Sequence, residues 1–160
     1  MDPIHQFQIN TFFTFGKIGG ADLAFTNSAL YMLIALGAIS LLMIGATASR
    51  ALVPGRMQSV AEISYEFIAN MLRSSAGAEG MKFFPLVFSL FMFILAANMI
   101  GLIPYTFTVT SHIIITASLA LLVFTIVIVY GFWKNGLRFF KLFAPSGIPL
   151  VLMPLIILIE

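Results

Sequence analysis

The chain has 160 residues, of which 61% are hydrophobic and 9% charged, against roughly 25% charged in ordinary soluble domains, so water is not the main solvent of its folded state. It contains no cysteine, which excludes disulfides, thiolate metal sites and thiol nucleophiles, and its two histidines, His5 and His112, stand too far apart in sequence to suggest a metal centre. The eight basic residues are scattered between apolar runs and form no patch for nucleic acid, and the length leaves room for several spans but no separate soluble domain.

Residues 1–28 form an N-terminal leader with Asp2, Lys17, Asp22 and the Gly19-Gly20 pair. Its head, MDPIHQF, has no basic n-region and no small-residue cleavage site ahead of an apolar core, so it is not read as a signal peptide. No charge falls between Asp22 and Arg50, and residues 29–48 supply one transmembrane helix. Its small residues Ala35, Gly37, Ala38, Gly45 and Ala46 permit close helix contact, although Gly and Ala are frequent in any membrane helix.

Pro54 and Gly55 break that pattern, and residues 57–75 change character. Met57, Val60, Ile63, Phe67, Ile68 and Met71 recur at steps of three and four, with Gln58, Glu62, Glu66 and Arg73 elsewhere, which predicts an amphipathic helix lying along the membrane surface. Ser59 followed by Glu62 fits a capping box, and Gly77 to Gly80 is expected to end the helix.

Between Lys82 and Lys134 there is no charge, which accommodates two spans and a turn. The first, residues 83–103, makes a rod of roughly 31 Å at about 1.5 Å per residue, the hydrocarbon thickness of a bilayer. A buried helix of a soluble protein could be as apolar, but this one is apolar on every side and a second such run follows at once. The turn, PYTFTVTSH from Pro104 to His112, suits a polar interface. Residues 113–133 form the next span, with Tyr130 and Trp133 as interfacial anchors and Lys134, Arg138 and Lys141 beyond it. From Leu142 the chain reads LFAPSGIPLVLMPLIILIE, and residues 147–160 are expected to begin a further membrane helix in a polypeptide that continues past Glu160. The alternative is a short re-entrant segment.

These spans place seven of the eight basic residues on one side and Lys17 on the other. By the positive-inside rule the N-terminus and the 104–112 turn face outward, and the amphipathic helix is cytoplasmic. The fold class is therefore an all-α polytopic membrane protein, with transmembrane helices plus a cytoplasmic-side interfacial amphipathic helix.

Polar groups inside hydrocarbon are costly unless paired or wetted, so each is a candidate for function. Asn98 lies near the end of its span, where it serves either a proton path or plain helix packing. His112, at the outer end of the next span, carries an imidazole suited to relaying protons, or is an interfacial histidine in contact with water. Glu160 follows a long apolar stretch, where a carboxylate can exchange protons if water reaches it. No catalytic residue, cofactor or metal is expected.

The string from Asn98 through Gly101, Pro104 and Tyr105 to Phe107, preceded by FSLFMFILAA, closely resembles the NxxGxxPYxF signature of the subunit a family of F-type ATP synthases. The likeness extends in order through VPGRMQ, TSH and the closing PLIILIE, and the opening MDPIHQF is similar to the alphaproteobacterial and mitochondrial branch. The resemblance implies a proton-conducting stator subunit of a multisubunit complex in the inner membrane. Its partners would be the rotating c-ring, the peripheral-stalk b subunits and the lipid bilayer, with protons as the transported ion. By position, Glu160 matches the acidic residue associated with the cytoplasmic half-channel. Asn98, Gly101, Pro104 and Tyr105 match the signature that shapes the helix near the outer side, and His112 would border the outer access path. The family's arginine, which separates the half-channels, has no counterpart up to Glu160. The other readings are a fragment of a secondary transporter or small channel, which should show an internal repeat that residues 29–48 and 83–103 do not, and a plain structural anchor.

Overall fold

The structure is a computed structural model and describes residues 7–18, 21–48, 53–136 and 138–139. Among these residues three helical segments are long and apolar enough to cross a membrane: Asn27–Ala48, the segment Arg56–Gly101 and Ile113–Asn135. The chain divides into two units, the first ending at His112 and the second beginning at Ile113.

The first unit opens with a feature that the sequence reading left without secondary structure. Strands β1 (Thr11–Ile18) and β2 (Ala21–Thr26) pair antiparallel, from Thr11 opposite Thr26 to Ile18 opposite Ala21, with irregularities in register at Phe12 and Phe15. The stretch expected as a leader is thus a β-hairpin, alternating Thr and Phe as strands do. Helix α1 (Asn27–Ala48) starts directly from β2, two residues before the expected boundary. Thr26 caps it, its Oγ1 accepting the amide of Ala29 at 3.4 Å.

On α1, Ala35 and Ala46 are buried. They lie three helical turns apart and so share one face, whereas the position of a Cβ on Gly37 meets nothing within 4 Å. Of the small residues named from sequence, then, only some make the close contacts. The helix keeps its hydroxyls satisfied internally: Ser40 Oγ donates to the Leu36 carbonyl at 2.9 Å and Thr47 Oγ1 to that of Met43 at 2.9 Å.

Helix α2 spans Arg56–Gly80, and α3 spans Phe84–Gly101, joined by a 3-10 turn over Met81–Phe83. The expected capping box is absent. Gly55 is the N-cap, so Ser59 lies inside the first turns and donates its hydroxyl to the Gly55 carbonyl at 3.0 Å, while Gln58 Nε2 donates to Glu62 Oε1 at 2.8 Å. Within Gly77 to Gly80, the stretch expected to end the helix, the regular helix is interrupted at Gly77. That residue takes φ 67° and ψ −164°, a region essentially closed to side chains, so it kinks the helix and the chain then resumes helical turns through Gly80 into α3. Gly80 is packed so closely that an added Cβ would collide with the Ala76 side chain.

Aromatic rings join α2 to α3: Tyr65 stands 4.6 Å from Phe84 and 6.3 Å from Phe88, and Phe67 stands 6.0 Å from Phe91. Ile68 is fully buried, whereas Met57, Val60, Ile63, Phe67 and Met71 are exposed. The apolar row read from the sequence is thus divided: Ile68 is buried, Phe67 meets Phe91 of α3 and Met57 lies against Gly45 of α1, while Val60, Ile63 and Met71 face outward. The polar residues Glu62, Glu66, Asn70 and Arg73 are exposed and line an open groove of about 670 Å³ with Met43, Ala46 and Thr47 of α1 and Phe88 of α3.

The second unit is built on α4 (Ile113–Asn135), whose aliphatic side chains stand exposed along its length. Ser118 Oγ donates to the Ile114 carbonyl at 2.6 Å. At its end Gly136 adopts φ 53°, which turns the chain back so that Phe139 covers Gly131 and stands 5.0 Å from Phe132. The expected helix start over residues 147–160 lies outside the described residues, as do Arg50 and Lys141.

Replacing Gly77 by Ala should destabilise the protein by about 1–3 kcal/mol, the strain of a side chain in that backbone region. Gly37→Ala, at an open helical position, should be neutral or slightly stabilising. Thermal unfolding of the purified protein in detergent reads both, and equal melting temperatures would contradict the kink.

Candidate functional site: the turn that closes α3

The end of α3 and the segment after it fold into a compact polar turn. The amide of Leu102 donates to the carbonyls of Asn98 at 3.1 Å and Met99 at 3.3 Å, and that of Ile103 to Ile100 at 3.1 Å, so the helix tightens before it ends. Pro104 has no amide hydrogen to continue the ladder. Tyr105 then takes φ 69°, the only non-glycine residue with positive φ among the described residues. Its side chain is 81% exposed.

Thr106 ties the turn down from inside. Its hydroxyl donates to the carbonyl of Ile100 at 2.6 Å and also lies 2.7 Å from that of Ile103, which satisfies groups left over at the helix C-terminus. The chain next runs back past α3, and the reason for Gly101 is steric. A Cβ there would sit 3.0 Å from Thr108 Cγ2 and 3.1 Å from its Oγ1, so a larger residue would push the Thr108 side chain aside by a few tenths of an ångström, and glycine favours the close approach of the returning chain. A 3-10 turn over Val109–Ser111 follows. It carries Thr110 to Asn98, where the Thr110 hydroxyl donates to Asn98 Oδ1 at 2.5 Å.

Phe107 is the apolar pin of this arrangement. It is 4% exposed, stacks nearly parallel on the His112 imidazole at 4.9 Å and packs against Tyr31 of α1 at 5.9 Å. The ring of His112 is thereby held against the inner side of the turn, close to the hydroxyls of Thr108 to Ser111 in sequence. The ring is half-buried and stacked, not free of the protein surface.

The sequence-derived site is thus partly assembled. Asn98, Gly101, Pro104, Tyr105 and His112 all belong to one turn, and Asn98 bonds within it rather than to a neighbouring helix. Glu160 lies outside the described residues. Sequence reading missed Thr110 as the partner of Asn98 and Tyr31 as the partner of Phe107. Neither pairing follows a helical spacing, so only the shape of the turn reveals them. Chemically, the turn offers an amide, several hydroxyls and an imidazole at the end of an otherwise uncharged helix. Such groups can hold and pass water or protons, but among the described residues no group of three or more His, Cys, Asp or Glu could hold a metal ion.

A double-mutant cycle on Asn98→Ala and Thr110→Val should return a coupling of about 0.5–1.5 kcal/mol in unfolding free energy, the net worth of one hydrogen bond. Strict additivity of the two substitutions would contradict the pairing.

Comparison with known proteins places this geometry. A family model described as ATP synthase A chain matches residues 29–160. The chain is 67% identical over 159 residues to ATP synthase subunit a of Rhodopseudomonas palustris strain BisB5, covering 99% of this chain and 64% of that protein. It is 64% identical over 160 residues to ATP synthase subunit a of Nitrobacter winogradskyi, covering 100% of this chain and 64% of that protein. With ATP synthase subunit a of Afipia carboxidovorans it shares 62% identity over 159 residues, 99% of this chain and 64% of the relative. The chain thus spans about 64% of the length of the curated relatives it matches. Family match and relatives agree with the signature turn and the apolar helices: the chain belongs to the ATP synthase A chain family of membrane proteins.

Proposed function

We propose that the protein is the proton-translocating subunit a of the membrane sector of an ATP synthase. It would form two offset aqueous half-channels against a rotating c-ring, be held in place by peripheral-stalk b subunits, and bind no nucleotide itself. The observation that carries this reading is the conjunction of family membership with an ordered NxxGxxPYxF turn at the end of an uncharged membrane helix. The mechanism follows from solvation. An ionised carboxylate on the ring cannot face lipid cheaply, whereas a protonated one can, so the ring must turn to exchange protons. Each charge crossing the field supplies roughly 2.3 kcal/mol per 100 mV.

Within this scheme the signature turn shapes the outer side of the path. Asn98 and His112 border the outer access, Asn98 through its bond to Thr110 and His112 through its stack on Phe107. Glu160 serves the cytoplasmic half-channel, where a carboxylate takes up the proton that leaves the ring. The charge distribution of the sequence supports a multi-pass protein of a bacterial inner membrane, with the N-terminus and the 104–112 turn outside and the 134–141 segment in the cytoplasm.

The test uses the full-length protein in the assembled complex. Glu160→Gln should slow proton-driven ATP synthesis while ATP hydrolysis by the detached catalytic sector stays unchanged. Unaltered coupling in that variant would remove Glu160 from the exit path.

A further inference from the structure

The hairpin β1–β2 carries a surface that the proton-path reading does not use. Its phenylalanines form a continuous row: Phe12 lies 6.5 Å from Phe25, Phe25 stacks on Phe13 at 5.3 Å, and Phe13 meets Phe15 edge-on at 5.1 Å. Phe13 and Phe25 are cross-strand partners, and Leu23 follows Phe25 on the same face by strand alternation. The irregularity between Thr14 and Gly16 brings Phe15 into that row. The opposite face carries Thr14 opposite Ala24 and Lys17 opposite Asp22. The ribbon is therefore two-sided, aromatic on one face and polar on the other. Yet Phe12, Phe13, Phe15 and Leu23 are all exposed, with Phe15 at 73%.

A two-stranded hairpin with an uncovered aromatic face is marginal in water, so something covers it. We propose that this ribbon lies along the outer membrane–water boundary with its aromatic face in the lipid. Three bonds at Asn27 fix its depth: the Asn27 amide donates to the Asn10 carbonyl at 3.0 Å, its Nδ2 to the Gln8 carbonyl at 2.8 Å, and its Oδ1 accepts the Asn10 amide at 3.1 Å. The ribbon is thereby clamped to the first residue of α1, whose exposed Leu30, Leu33 and Ile34 begin the lipid-facing surface immediately beyond.

Length decides the orientation. From Asn10 to Lys17 the strand runs about 23 Å at roughly 3.3 Å per residue, whereas the interfacial layer on each side of the hydrocarbon is only about 5–8 Å thick. Upright, the ribbon would carry Phe15 well into water. Lying along the membrane, it places Phe12, Phe13, Phe15 and Leu23 at one depth, turns the face that carries Lys17 toward water, and leaves its open strand edges among headgroups and water that can bond them.

The experiment places the photoreactive p-benzoylphenylalanine at position 15 of the full-length protein in its native membrane and, separately, at position 14. After irradiation, mass spectrometry should find a phospholipid adduct on the position-15 protein and several-fold less on the position-14 protein. A crosslink from position 15 to another protein or to a second copy of this chain would overturn the proposal, and so would equal lipid adducts from both positions or none from position 15. Both positions carry exposed side chains, and the substituent keeps a phenyl ring at position 15 for its contact with Phe13.

Discussion

Hydrocarbon offers a polar group nothing to bond to, and that constraint organises this chain. Within the apolar helices the hydroxyls of Ser40, Thr47, Ser89 and Ser118 turn back onto carbonyls of their own helix. The polar residues Glu62, Glu66, Asn70 and Arg73 of α2 line an open groove shared with Thr47 of α1, and all four reach the surrounding medium. At the end of α3, where the ladder of backbone bonds must stop, Thr106 takes up carbonyls left over and Thr110 bonds the side-chain oxygen of Asn98. Even the exposed hydroxyls of Ser40 and Ser118, in the middle of apolar helices, are satisfied within their own helix.

The signature turn is best understood as a device for ending a membrane helix cleanly. Glycine at 101 lets the chain double back against α3, proline at 104 stops the ladder, and Phe107 pins the loop between Tyr31 and His112. The result is a rigid rim of hydroxyls, amide and imidazole at one end of an uncharged rod. A path for protons needs such a wetted rim on each side and an exchangeable carboxylate in between. Between Met81 and Ile159 the sequence offers none, and Glu160 follows directly.

The parts that were legible in the sequence are those governed by hydropathy alone. Long uncharged runs mark α1, α3 and α4 to within two residues at most ends, because bilayer thickness fixes how many apolar residues a span requires. The steps of three and four along Met57 to Met71 mark α2 for the same kind of reason. What stayed hidden depends on local stereochemistry or on contacts without a period. The hairpin was masked by its phenylalanines, which read as generic apolar content, although Gly19-Gly20 between two Thr- and Phe-rich runs is a hairpin signal in retrospect. Gly77 reads as a helix stop, and only its backbone angles show a kink that is passed through. Ser59 suits a cap, but the helix had already started at Arg56. The Asn98–Thr110 and Tyr31–Phe107 pairs join residues whose separation carries no signature of contact.

The account rests on a threading in which the signature turn meets water on one side of the membrane and the far end of α4 meets it on the other. Single cysteines at Tyr105 and Lys134, each in the full-length protein cleared of any other cysteine, can be probed with a membrane-impermeant maleimide in right-side-out and inverted vesicles. Tyr105→Cys should react only from the outer face and Lys134→Cys only from the cytoplasmic face; reaction of both from the same face would contradict the threading and the proton path built on it.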